Sequence, residues 1–214
     1  MAESHLESLP SRLFDRVDNS ADAVFYQAPR LVAHIDAATI AALTKFYGDI
    51  LFDGADVLDL MSSWISHLPA ETALGRVAGL GMNMQELKAN RRLTEYLVQD
   101  LNVAPRLTYA DVAFDFVFIA VSIQYLVRPI EVFAEIGRIL RPGGQLVVAM
   151  SHRCFPTKAI RGFQEGALAD RIRLISEYMN RAAAYNEPVF VDCSPKEADP
   201  LWLVTGTAQS RGTA

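Results

Sequence analysis

Four histidines, His5, His34, His67 and His152, carry the side chains that exchange protons near neutral pH. Each is a candidate general base, and each has a plainer reading as a packing residue. In "FYQAPRLVAHID" the chain brings Tyr26, Arg30 and His34 together in sequence. Arg30 and His34 are four apart, so they share one face if this segment is helical. That face suits an acidic ligand, and the plainer reading is a surface arginine beside a packing histidine. "SHRCF" follows an apolar strand with His152, Arg153 and Cys154. Cys154 has no base at fixed spacing and reads as a small buried residue. The His and Cys positions do not form a metal-binding pattern. The stretch "VLDLMSSWISHLP" begins as a nucleotide-binding strand does, with an apolar pair, Asp59 and Leu60. A glycine-rich turn is expected next, and Met61-Ser62-Ser63-Trp64 stands there instead.

The chain must be large enough to hold such groups in place. Its 214 residues are 51% hydrophobic and 21% charged, as in one globular domain with a full core. A net charge of -5 without a basic block argues against a nucleic-acid partner. The opening "MAESHLESLP" lacks a cationic and then apolar leader, and no apolar run is long enough to span a bilayer. Two distant cysteines, Cys154 and Cys193, fit a reducing cytoplasm. The oligomeric state is not encoded in any motif.

The positioning elements follow from pattern. Residues 1–50 read as a helical cap, with "LESLPSRLFDRV" and then "DAATIAALTKFYGDIL", for which Asp36 is the N-cap. Residues 51–208 read as a sheet core. "DVLDL", "RVAGLGM", "EYLVQD", "FDFVFIAVS" and "QLVVAMS" are apolar strands of the kind buried on both faces. Asn83 with Glu86 has capping-box spacing for the helix "MQELKANRRL". Pro129 opens "PIEVFAEIGRIL", and "RPGG" turns out of it. After the helix "ALADRIRLISEYMNRAAAY", the strands "PVFVDC" and "LWLVTGTA" are too close for a helical crossover, so they pair antiparallel. The expected fold is α/β, a doubly wound Rossmann-like sheet of seven strands, mostly parallel, with an antiparallel terminal hairpin. The N-terminal helices are expected to cap the ligand edge of a single domain, 1–214.

This order of elements, with "DVLDL", "LVQDLN", "FDFVFIAVSIQYL" and above all "EVFAEIGRILRPGGQLVVA", resembles the class I S-adenosylmethionine-dependent methyltransferases. The likeness is to the small-molecule, type 11-like branch, and "LDLMSSWISHLP" with "GLGMN" and "SHRCF" looks like a group whose first motif lacks its glycines. The resemblance implies S-adenosylmethionine as cofactor, a small-molecule methyl acceptor and no fixed catalytic motif. It implies cofactor contacts from Asp59, Met61, Ser62 and Ser63 in the first loop, the serine hydroxyls replacing some backbone contacts to the methionine carboxylate. The acid that normally holds the ribose falls on Gly81, and Asn83 is the candidate substitute, with helix capping as its other reading. Asp100 and the Leu101 amide match the adenine contacts, against a plain loop turn for Asp100. Val121 and Ser122 fall beside the sulfonium. Tyr26, Arg30, His34, Tyr125, His152 and Arg153 are the substrate candidates, with Tyr125 alternatively a core residue. Two other readings stand: a non-catalytic binding protein of the same fold with a degraded pocket, and a nicotinamide-dependent Rossmann oxidoreductase. The second requires G-x-G-x-x-G after the first strand, which this chain lacks.

Overall fold

The computed structural model describes residues 9–210. Seven strands form one sheet in the order β3-β2-β1-β4-β5-β7-β6. β1 (Val57–Leu60), β2 (Val77–Gly81), β3 (Glu95–Val98), β4 (Phe114–Ala120) and β5 (Leu140–Met150) run parallel. β7 (Trp202–Thr207) lies antiparallel between β5 and β6 (Val189–Asp192). The sheet is therefore mixed as the sequence indicates, with the terminal hairpin at one edge. The chain leaves β1 toward β2 and β3, then returns to the other side of β1 as β4. That reversal is where ligands bind in open α/β sheets, outside the carboxyl ends of the strands.

Both faces of the central strands are buried, which is why they read as unbroken apolar runs. On one face α4 (Pro129–Ile139) and α6 (Leu168–Ala182) pack Val132, Phe133, Ile136, Ile175 and Tyr178 against the sheet. On the other, α2 (Ala37–Ile50) packs Leu43 and Tyr47, with the Tyr47 ring stacked 4.0 Å from Phe118. Asp36 caps α2 by accepting from the Thr39 N–H at 2.9 Å. Pro129 opens α4 as expected. "RPGG" is not a helix cap: Gly143, at φ +79°, bulges the start of β5 between the Leu140–Phe114 and Gln145–Phe116 pairings.

The N-terminal segment departs from its expected helicity. Ser11–Phe14 is a 3-10 turn and α1 (Asp22–Phe25) is one turn long. Residues 26–35 are irregular, since Pro29 interrupts any helical run and the segment's backbone bonds go elsewhere. Residues 1–8 of the first expected helix lie outside the described residues. The long helix α2 lies on a sheet face, and the segment before it crosses the carboxyl edge as a strap. The β1–β2 and β3–β4 crossovers carry no helix, so α3 (Met84–Ala89) and α4 are the crossover helices of the parallel half. Among the described residues, no helix is long and apolar enough to cross a membrane.

Candidate functional site

A cavity of about 370 Å³ opens at the carboxyl ends of β1, β2, β3 and β4. Its floor is the chain leaving each strand: Met61 and Ser62, Gly81 and Met82, Asp100 and Leu101, Val121 and Ser122. Tyr26, Arg30 and His34 of the strap form the roof, with Arg153 and Phe155 from the chain after β5. Sequence spacing placed Arg30 and His34 together through a helix. Both reach the cavity from an extended strap instead. His152 is not part of the lining; it is half-exposed, with Nε2 3.2 Å from an Asp199 carboxylate oxygen. Arg153 does line the cavity, but its guanidinium is held by Asp199 at 3.0 Å.

The two departures of the first loop and of the second strand prove to be one feature. Met61 stands at φ +59°, the left-handed region that a glycine would occupy without strain. The turn folds the chain over the end of β2, where the Ser62 N–H donates to the Leu80 carbonyl at 2.7 Å. A Cβ on Gly81 would meet the Ser62 carbonyl oxygen at 2.2 Å. No side chain fits at position 81 while the loop lies there, so the expected acid is excluded sterically.

Polar groups under this loop are committed to each other. Asp59 is buried and accepts the Ser62 hydroxyl at 2.6 Å. Burial pushes its carboxyl up to about 6, and hydrogen bonds from Ser62 and Ser66 limit the rise. Asn90 ties the same cluster down through Ser66 Oγ at 2.7 Å and the Ser63 carbonyl at 2.9 Å. The Ser63 hydroxyl donates to Glu86 at 2.6 Å. Both hydroxyl protons are thus spent on carboxylates, which corrects the expectation that Ser62 and Ser63 donate to a ligand carboxylate. Asn83 is also fully used. Its amide oxygen caps α3 at Gln85 and Glu86, and its NH2 group donates to the Tyr26 and Gln27 carbonyls at 2.9 and 3.0 Å. An amide with both hydrogens and both lone pairs engaged has nothing left for a ribose hydroxyl. The capping box is half-formed: Glu86 accepts the Arg30 N–H at 2.7 Å rather than turning back on Asn83.

Other groups remain available. One Asp100 oxygen closes a turn on the Asn102 N–H at 2.9 Å. Among the described residues, its second oxygen and the Leu101 N–H have no partner. The Ser122 hydroxyl is buried and unpartnered, and Val121 before it stands at φ +51°, a rare conformation for a β-branched residue. Strain of this kind persists only where the surrounding structure imposes it, and it concentrates at functional sites. Tyr125 accepts the Phe155 N–H at 2.8 Å, and burial pushes its hydroxyl up to about 12.

Asp22, Glu86 and Phe155, which sequence reasoning did not assign to the site, complete the roof and walls together with Trp64. Asp22, buried, receives Arg16 at 2.8 Å, Lys158 at 3.1 Å and Asn102 at 2.8 Å, latching the strap to the loop after β3. Trp64 donates to the Val32 carbonyl at 3.0 Å. Glu86 was legible as a box residue, and Phe155 had no signal beyond its place after an apolar strand.

Residues 63–148 match the family model described as a methyltransferase domain, beginning in the loop just after β1. No curated protein sequence matches the chain. Among solved structures, the protein bound by the Haloferax volcanii Trm112 methyltransferase activator superposes with a TM-score of 0.59 at 18% identity, covering 79% of this chain and 90% of that one. The [4+2]-cyclase SpnF gives 0.59 at 17% identity, over 79% and 81%. Phosphoethanolamine N-methyltransferase 2 of Haemonchus contortus, in complex with S-adenosyl-L-methionine, gives 0.59 at 15%, over 81% and 53%. With the domain match and the sheet order taken together, residues 63–148 are similar to a methyltransferase domain, and the chain shares its fold with these solved structures.

Proposed function

We propose that the chain transfers a methyl group from S-adenosylmethionine to a small molecule, with no nucleic-acid or membrane partner, in the cytoplasm. The observation that carries this reading is the unspent pair after β3, the free Asp100 oxygen and the Leu101 N–H, facing a cavity at the strand-order reversal. The donor set fits the adenine end of the cofactor: a carboxylate for the exocyclic amino group and an amide N–H for a ring nitrogen. The orphaned Ser122 hydroxyl offers one further polar contact at the end of β4. When bound, the cofactor supplies a methyl group already activated on a sulfonium. The chain's own work is then to orient the acceptor, exclude water and receive a proton where the acceptor must lose one. The strap latched by Asp22 and Asn83 excludes water. His34 and His67 line the cavity as neutral imidazoles, since burial lowers both, His67 to about 4.

A non-catalytic binding role is the second reading, favoured by one observation: Ser62 and Ser63 have no donor left, and Asn83 no free donor or acceptor, in the positions expected to hold the methionine and ribose. Calorimetry with S-adenosylmethionine and S-adenosylhomocysteine decides between them. Binding of both, weakened about ten- to a hundredfold by Asp100→Ala, supports the enzyme; this corresponds to the loss of about 1.5–3 kcal/mol for a hydrogen bond to a charged group. Absence of binding for both compounds favours the second reading.

A further inference from the structure

The roofed half of the cavity carries a constellation that the cofactor contacts leave unused. Three aromatic rings converge there. Tyr125 and Phe155 are stacked at 5.7 Å with 28° between planes, and Tyr26 meets them edge-on at 6.5 and 6.4 Å. His34 stands edge-on to Phe155 at 5.3 Å. The Arg30 guanidinium lies over this group, 5.3 Å from the Phe155 centroid and 4.5 Å from Phe25. It donates only to backbone carbonyls, Phe25 at 2.9 Å and Ala28 at 3.4 Å. The Nε–H and a second hydrogen on each terminal nitrogen remain unspent.

Charge around this arginine is otherwise settled. Glu86 takes the Arg30 backbone N–H and the Ser63 hydroxyl and makes no ion pair with the guanidinium. Asp22 is neutralised by Arg16 and Lys158, and Asp199 by Arg153. Among the described residues, Arg30 has no carboxylate partner. A half-buried guanidinium with free donors, seated on aromatic faces, is a fork for a planar anion.

We propose that this lobe holds the methyl acceptor and that the acceptor is a small aromatic carboxylate. Its ring packs among Tyr26, Tyr125 and Phe155, and its carboxylate meets Arg30. The identity of this ligand as methyl acceptor rests on the function proposed above; its chemical class rests on the lobe alone.

Calorimetry with simple probes tests the class without any methyl transfer. Benzoate, benzamide and cyclohexanecarboxylate are titrated into the full chain, with and without S-adenosylhomocysteine. Benzoate should bind at least tenfold more tightly than benzamide, which lacks the charge, and than cyclohexanecarboxylate, which lacks the planar ring. Arg30→Gln should bring the benzoate-to-benzamide ratio near one, while Arg161→Gln, an exposed arginine of α5 (Arg161–Gln164), should leave it intact. Should Arg30→Gln fail to fold, Phe155→Leu gives the second readout, a lost preference for benzoate over cyclohexanecarboxylate. Equal affinity for benzoate and benzamide in the natural protein overturns the proposal, as does failure of benzoate to bind or an unchanged ratio in Arg30→Gln. S-adenosylhomocysteine titrated alone reports on the cofactor reading, so either claim can fail without the other.

Discussion

The contact between Gly81 and Ser62 makes a sharp prediction about stability. Gly81→Ala places a methyl carbon 2.2 Å from the Ser62 carbonyl oxygen and 3.2 Å from a Leu87 methyl. The Leu87 side chain can yield, but the Ser62 carbonyl is backbone and must retreat by about 1 Å to reach ordinary van der Waals contact. That retreat breaks the Ser62 N–H bond to Leu80 and the Ser62 hydroxyl bond to Asp59. The first contributes about 1 kcal/mol net and the second, to a charged group, about 1.5–3 kcal/mol. The expected loss is therefore about 3 kcal/mol, or a melting temperature lowered by roughly 6–12 °C in a chain of this size. Met61→Gly alone should be nearly neutral. It removes about 1–2 kcal/mol of left-handed strain, offset by glycine's greater unfolded-state entropy and by lost packing of the Met61 side chain. Combined, the two changes should cost less than their sum by at least about 1 kcal/mol, because a glycine at 61 lets the loop move away. Urea denaturation of the four proteins reads this directly. A Gly81→Ala protein within about 0.5 kcal/mol of the natural one, or strict additivity, would refute the claim that loop and strand exclude the acid together.

Asp59 and His67 titrate in opposite senses over one pH window. Burial raises Asp59 from 3.8 to about 6, so its contribution is full below pH 4 and lost as pH rises through 6. Asp59→Asn should gain on the natural protein between pH 4 and 7 by up to about 3 kcal/mol. His67 is lowered from 6.5 to about 4, so its contribution is full above pH 6.5 and lost on acidification. His67→Asn, a residue that tolerates the local φ of +54°, should gain by a similar amount as pH falls to 4, read by melts across that range. Asp100→Ala should weaken S-adenosylhomocysteine about ten- to a hundredfold, while the free protein loses only the turn bond to the Asn102 N–H, about 1 kcal/mol of stability. Asn83→Ala removes a helix cap and two strap bonds; stability should fall by about 0.5–2 kcal/mol from the cap alone, and amide exchange across residues 22–30 should accelerate. Unchanged exchange would show that Asn83 does not hold the strap.

Much of the scaffold was legible because its signals are local. β1, β2 and β4 are buried on both faces, so burial writes itself as apolar runs at Val57–Leu60, Val77–Gly81 and Phe114–Ala120. Asp36 and Asn83 mark helix starts through side-chain bonds made within a turn of themselves, and Pro129 through a fixed φ that suits the first helical position, so each was legible locally. The strap was not legible. Its bonds run to Asn83, Glu86, Asn102 and Lys158, all distant in sequence, and no local periodicity records them. Arg30 and His34 were placed together on a helical face that does not exist. They share the cavity because those long-range ties hold an extended chain across it.

The binding residues show where a family pattern stops predicting chemistry. Asp100 and Leu101 sit in the loop at the end of β3, where one carboxylate oxygen and the Leu101 N–H are left uncommitted among the described residues. Ser62, Ser63 and Asn83 were assigned by what their side chains are able to donate. Their actual bonds depend on which neighbours arrive first: Asp59 from the strand beneath, Glu86 from α3, the Tyr26 and Gln27 carbonyls from the strap. A hydroxyl has one proton and a primary amide has two, so each such bond removes capacity for a ligand. The loss of glycine at 61 and the gain of glycine at 81 look like separate lapses along the chain. In space they are the two halves of one contact, a turn that lies where an acid's side chain would begin. With the loop lying where a side chain at position 81 would begin, the cavity carries no acid there, while the second Asp100 oxygen, the Ser122 hydroxyl and part of the Arg30 guanidinium stay uncommitted among the described residues.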